Sequence, residues 1–233
     1  MSARKRGSDW SVMPATGHMM RARVALSAAL AALTWFALLL QLVILLRVRS
    51  AAGLSLMGGV GNFFSYFTVL TNVLVAVTLS GPLGWPASRL GRILSAAGFR
   101  TGVATSIALV GLIYSLLLRA LWQPQGAQWL ADILLHDAVP LLYLLWWAWA
   151  VPRATLRWTS ALRWALYPLA YLLYALLRGA WLGRYPYPFI DVAQLGYARV
   201  ALNAAGMLIV FLTIAGCLIT LNRFKPALTV IST

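Results

Sequence analysis

Acidic residues are nearly absent from this sequence. There are four in 233 residues, all of them aspartate (Asp9, Asp132, Asp137 and Asp191), and glutamate is missing altogether. Charged residues of both signs reach only 10%, against about a quarter in ordinary soluble domains, so a soluble globular class is excluded. No carboxylate sits deep in an apolar run, which leaves a proton- or sodium-coupled transporter without its carrier group. Cysteine is reduced to Cys217. A single thiol excludes an intramolecular disulfide and a multi-cysteine metal site, and its place in a late apolar run predicts a small buried hydrophobe. Histidine occurs twice, at His18 and His136. His18 lies near the N-terminus, so a bis-histidine haem lacks its second ligand. A metal at His136, Asp132 and Asp137 would need a fourth ligand that the sequence does not offer. No cofactor is expected.

What the sequence does have is apolar length. Hydrophobic residues make up 62% and mean hydropathy is +0.82. A span needs about 20 apolar residues. The runs 24–46, 62–79, 101–121, 131–151, 164–182 and 200–221 supply six. The fold class is therefore an all-α, polytopic membrane protein: a six-helix transmembrane bundle over 24–222, with a basic disordered tail at 1–23 and a short tail at 223–233. The first run is too long for a signal-peptide core. The net charge of +15 does not signal a nucleic-acid partner. The basic residues stand singly between apolar runs and act as topology signals and contacts to anionic headgroups. With both termini inside, thirteen of the 19 basic residues fall on the inner side and six outside. The positive-inside rule thus favours N-in, C-in.

Packing features are legible too. Ser27, Thr34 and Gln41 recur every seven residues in span one, and Ala25, Ala28, Ala29 and Ala32 would permit close helix approach. Trp146, Trp147 and Trp149 suit a membrane–water interface. Tyr167, Tyr171, Tyr174 and Arg178 form one helical stripe, suited to packing or interfacial anchoring.

The polar residues inside span two are the main exception to its hydrophobic character. Ser65, Thr68 and Asn72 fall within about 60° of one another on a helix beginning at Asn62. Thr68 would lie about 9 Å, and His136 about 7.5 Å, inside the outer ends of their helices. Asp132, four residues before His136, would share its face, whereas Asp137 lies about 100° round. Thr68, His136 and Asp132 could then be a nucleophile, a base and an orienter, because a threonine hydroxyl needs a base to attack. Helix-to-helix hydrogen bonding by Ser65, Thr68 and Asn72, with His136 as a structural cap, is the competing reading.

Tyr66-Phe-Thr68, followed by Thr71-Asn72, then His136 at the start of a later span, then Tyr187-Pro-Phe-Ile-Asp191, resembles the androgen-induced-gene type of membrane protein. That family's relatives include androgen-dependent TFPI-regulating protein and bacterial Pr6Pr membrane proteins. The resemblance covers spans two to six. It implies a threonine hydrolase that cleaves a fatty acid-type lipid ester, with the nucleophile carried onto Thr68 and the base onto His136. Thr71 is the runner-up nucleophile, because the polar spacing after Tyr-x-Thr differs by one residue. Asn72, Tyr66 or Tyr187 would support the oxyanion, with Asp132 and Asp191 as further orienting or supporting groups. The implied partners are membrane lipids and a lipid-like substrate, in a bacterial plasma membrane, with the oligomeric state open. The alternative is a non-enzymatic membrane protein: a small transporter, a lipid-binding regulator or a scaffold subunit.

Overall fold

The computed structural model describes residues 15–224. Of the tails expected at 1–23 and 223–233, residues 1–14 and 225–233 lie outside the described residues. Nine α-helices are described: α1 (Ala15–Ala51), α2 (Leu56–Phe63), α3 (Phe67–Gly84), α4 (Arg89–Ser95), α5 (Ala97–Ile113), α6 (Gly126–Ile133), α7 (Val139–Ala150), α8 (Thr159–Leu182) and α9 (Val192–Phe224). α5 runs on through a π-turn at Tyr114–Leu118 and a 3-10 turn at Arg119–Leu121. α6 joins α7 through a second π-turn, Leu134–Ala138. Six stretches are long and apolar enough to cross a membrane: Gly17–Ala51, Phe67–Gly84, Ala97–Leu121, Gly126–Ala150, Thr159–Leu182 and Val192–Phe224. The chain is an integral membrane protein built as an all-α six-helix bundle, with no strand among the described residues.

α3 is the central strut, packed between α1 and α5, and α5 also holds α7 and α9. α8 is peripheral. It leans on α9 and buries only small residues, Ala161, Ala165, Ala175 and Gly179. Its outer face of Leu162, Leu166, Leu173 and Leu177 is exposed for hydrocarbon to cover. In lipid the backbone must satisfy itself, so these segments can only be helices.

The span bounds move by several residues. Helix α1 begins at Ala15, so the last third of the expected tail is helical. The polar heptad of α1 faces the bundle. Ser27 and Thr34 are buried and donate back to the carbonyls of Arg23 and Leu30 at 2.8 and 2.7 Å. Ala25, Ala28, Ala29 and Ala32 do not pack; all four are exposed. They lie outside the stripe carrying Ser27, Leu30, Ala31, Thr34 and Leu38, which is the stripe that meets α3 and α7.

Only Trp149 of the tryptophan trio is exposed. Trp146 and Trp147 are core residues whose indole N–H groups donate to Ser27 Oγ at 2.9 Å and Thr101 Oγ1 at 3.0 Å. A buried indole needs such a partner, and the small hydroxyls of α1 and α5 supply it. Cys217 is exposed on the outside of α9 rather than buried.

Candidate active site

The chain does not enter span two as one helix from Asn62. α2 ends at Phe63, and Tyr66 takes an extended conformation (φ −93°, ψ 131°) before α3 starts at Phe67. The Ser65 hydroxyl closes the break by donating to the Asn62 carbonyl at 2.6 Å. Ser65 therefore does not share a helix face with Thr68 and Asn72. Thr68 is instead the second residue of α3.

α3 has 18 residues where the span Gly126–Ala150 has 25. At 1.5 Å per residue α3 is about 10 Å shorter. Thr68 and His136 line one cavity although they sit at different positions in their own helices. That cavity, about 360 Å³, is lined by Thr68, Tyr66, Tyr114, Asp132, His136 and Tyr187, and also by Gln41, Asn62, Trp122 and Gln128.

The His136 ring is fixed on three sides. Its Nδ1 lies 3.0 Å from the Asp132 carbonyl oxygen and 3.2 Å from Asp132 Oδ1. Both neighbours are acceptors, so in the neutral ring Nδ1 carries the proton and Nε2 keeps its lone pair. The carbonyl is the better aligned of the two. Oδ1 sits within ion-pair distance but receives no hydrogen bond from any described group. Asp132 Oδ2 accepts the Tyr114 hydroxyl. The Tyr114 ring stacks on the imidazole, centroids 3.9 Å apart at 16°. Asp137 faces away from the histidine and pairs with Arg119, whose guanidinium lies 4.9 Å over the Tyr114 ring.

Pro140 accounts for this geometry. It has no N–H for the His136 carbonyl four residues back, and its ring would collide with that carbonyl. The helix relieves the conflict by widening: the Val139 N–H bonds to Leu134, five residues back. In that register the carbonyl of Leu135 would face Pro140, which has nothing to give. The Asn72 side-chain amide fills the vacancy, donating to Leu135 O at 3.2 Å and to Thr68 O at 2.9 Å. π-Turns of this kind recur at functional sites. Gly111 lets α5 press against the turn, since a Cβ there would sit 3.3 Å from the His136 carbonyl and 3.2 Å from Pro140.

Thr68 is 8% exposed. The Tyr187 phenol oxygen lies 3.3 Å from its N–H and 3.5 Å from its hydroxyl. Tyr187 sits outside the spans, and burial pushes its pKa up despite hydrogen bonds from Thr68, which pull it down. It stays a neutral phenol with a proton to donate. Tyr66 meets Tyr187 edge-on at 5.7 Å. No hydrogen bond joins Thr68 to His136 among the described residues.

The other sequence candidates lie elsewhere. Asn72 is fully buried, its N–H groups are spent on two carbonyls, and it does not reach the cavity, so it has no donor for an oxyanion. Thr71 is equally buried and pairs with the Tyr167 hydroxyl at 3.0 Å. Tyr171 donates to the Ser65 carbonyl at 2.9 Å. Tyr167 thus pins α8 to α3 and Tyr171 pins it to the break just before α3, while Tyr174 of the same stripe is exposed. Asp191 accepts from the N–H groups of Ala193 and Gln194 at the start of α9 and stands apart from the site. Tyr114 is the residue that sequence reasoning passed over. No family model matches the chain, and no curated protein or solved structure matches it.

Proposed function

We propose that this protein is a membrane-embedded threonine hydrolase of lipid esters, with Thr68 as nucleophile and His136 as general base. The observation that carries the reading is the shared cavity: Thr68 and His136 both line it, and the imidazole proton is directed to Asp132 so that Nε2 is the free base. The residue pattern that resembles the androgen-induced-gene type assigns the same pair.

In the first step His136 Nε2 takes the Thr68 hydroxyl proton as Oγ1 bonds to the ester carbonyl carbon. The carbonyl π pair moves to oxygen. Thr68 stands in the first turn of α3, where amide N–H groups have no carbonyl within the helix. The Thr68 N–H already holds the Tyr187 phenol oxygen, and the Tyr187 hydroxyl is the donor for the oxyanion. Collapse breaks the bond to the alcohol, which leaves with the proton held by His136. Water then attacks the acyl-Thr68 ester, gives its proton to His136, and releases the acid and free Thr68. In the resting site the Thr68 hydroxyl faces Tyr187. Its turn toward His136 belongs to the substrate-bound state, as catalytic hydrogen bonds commonly tighten only then.

A non-catalytic lipid-binding protein is the second reading, favoured by the missing Thr68–His136 hydrogen bond. Esterase assays in nanodiscs separate the two. Thr68→Ala and His136→Ala should each abolish ester cleavage by a protein that remains folded; activity surviving in either variant refutes the assigned roles. The site belongs to the outer leaflet half by the basic-residue bias, and the Arg-rich composition with only two lysines fits a bacterial plasma membrane.

A further inference from the structure

The space around Thr68 is divided by chemistry. On one side an apolar recess of about 100 Å³ reaches between α5, α8 and α9, lined by Leu109, Ile113, Leu172, Met207, Leu208 and Phe211. Leu169 at its lip is 43% exposed toward the bilayer. The medium outside that lip is hydrocarbon, so what enters is a hydrocarbon chain. On the other side is the polar chamber. Thr68, Tyr114 and Tyr187 border both.

Apart from the Asp132 carboxylate, the polar lining of the chamber includes amides and, among the described residues, no cation. Gln128 Nε2 donates to Gln41 Oε1 at 2.8 Å. That bond leaves the Gln41 N–H groups and the Gln128 carbonyl for an incoming group, a donor and an acceptor side by side. Hydroxyls satisfy both at once. Asn62 adds a further amide. Asp132 Oδ1 is buried with no hydrogen-bond donor, so it also calls for an O–H. No lysine or arginine is among the described residues that line the chamber. Arg119, which touches Tyr114, is already engaged by Asp137. An anionic head would meet Asp132 without a compensating cation.

We propose that the ester taken by this site joins one hydrocarbon acyl chain to an uncharged alcohol bearing further hydroxyls, a monoacylglycerol-like lipid. The acyl chain starts in the apolar recess and runs out past Leu169 into the bilayer, the head lies in the amide-lined chamber, and the ester carbonyl stands at Thr68. The cleavage itself rests on the hydrolase reading; the recognition does not.

The test uses ethers, which cannot be cleaved, so that it reads recognition whether or not the protein is a hydrolase. Dodecyl glyceryl ether, dodecyloxyacetate and dodecyl methyl ether are titrated into the full chain in zwitterionic nanodiscs, following tryptophan fluorescence and thermal stability. The glyceryl ether should bind about tenfold or more tighter than dodecyloxyacetate, a difference of about 1.4 kcal/mol. Gln41→Leu should weaken the glyceryl ether toward the affinity of the methyl ether and leave the methyl ether bound as before, which also shows the variant is folded. Equal or tighter binding of the carboxylate, or no binding of the glyceryl ether, overturns the proposal. If the glyceryl ether binds as expected while glyceryl esters remain uncleaved, it is the hydrolase reading that fails.

Discussion

Asn72 and Pro140 should be energetically coupled although the residues belong to different helices. Asn72→Ala removes the donor from the Leu135 carbonyl, which Pro140 leaves without a backbone partner, and from the Thr68 carbonyl. An unpaired buried acceptor costs about 1–3 kcal/mol, although hydrogen bonds measured between membrane helices average only about 0.6 kcal/mol. The Thr68 carbonyl still has its helical partner, so Leu135 dominates. About 1–2 kcal/mol is a fair expectation for Asn72→Ala alone. Pro140→Ala restores the missing N–H and lets the turn close to an α-helix, which gives the Leu135 carbonyl a backbone donor. With Pro140→Ala in place, Asn72→Ala should cost about 1 kcal/mol less than it does alone, a coupling of the size seen between residues that share one network. Thermal or denaturant unfolding of the four proteins in detergent measures it. Closing the turn also rotates His136 by about 100° relative to α7, so Pro140→Ala should lose ester cleavage while remaining folded. Additive costs for the two substitutions, or full activity in Pro140→Ala, would refute the account of the π-turn.

Other consequences follow from the same contacts. Tyr114→Phe keeps the ring stacked on His136 but strips the hydroxyl from buried Asp132; at about 1.5–3 kcal/mol for a charged hydrogen bond, kcat/KM should fall about 10- to 100-fold. Unchanged kinetics in that variant would remove Tyr114 from the site. Gly179→Ala places a Cβ about 2.2 Å from the Tyr185 ring, which must swing out and carry the Tyr187 loop with it; activity should drop while the protein still inserts and folds, as circular dichroism would show. Burial holds the Tyr187 proton in the folded state above its ordinary value of 10.0. Folding therefore loses stability as pH rises through 10, because only the unfolded phenol ionises there, while the folded phenol remains a donor. Phenolate absorbance on an alkaline titration, compared with Tyr187→Phe, checks the sign: a Tyr187 contribution near the ordinary value would contradict it.

The number of spans was legible because each is a long apolar run and lipid leaves the backbone no other choice. Their ends were less so. The second apolar run reads as ending at Leu79, yet α3 continues to Gly84, inside the stretch from Gly81 to Pro86 that stops it, since a proline near a helix end forfeits only one bond. The alanines of α1 read as a packing face, but Ser27 and Thr34 mark the buried stripe; in a uniformly apolar helix the rare hydroxyl is a better guide than the small residue. Thr68 and His136 were expected to meet at similar depth, and they do line one cavity, but by a different route. The break at Ser65–Tyr66 starts α3 later, and the span bearing His136 starts earlier. Pro140, four residues after His136, was the available signal for an irregular helix at the histidine. The role of Asn72 follows from that irregularity, which is why polar spacing alone suggested an oxyanion donor instead. Tyr114 had no such signal, because its value depends on a tertiary stack.

Covalent labelling of Thr68 is the most direct measurement. The purified protein in detergent is treated with a fluorophosphonate and the adduct is mapped by mass spectrometry. The account predicts one adduct, on Thr68, that disappears in His136→Ala with the protein still folded. An unlabelled Thr68 in a folded protein, or labelling that survives His136→Ala, would contradict a threonine–histidine hydrolase.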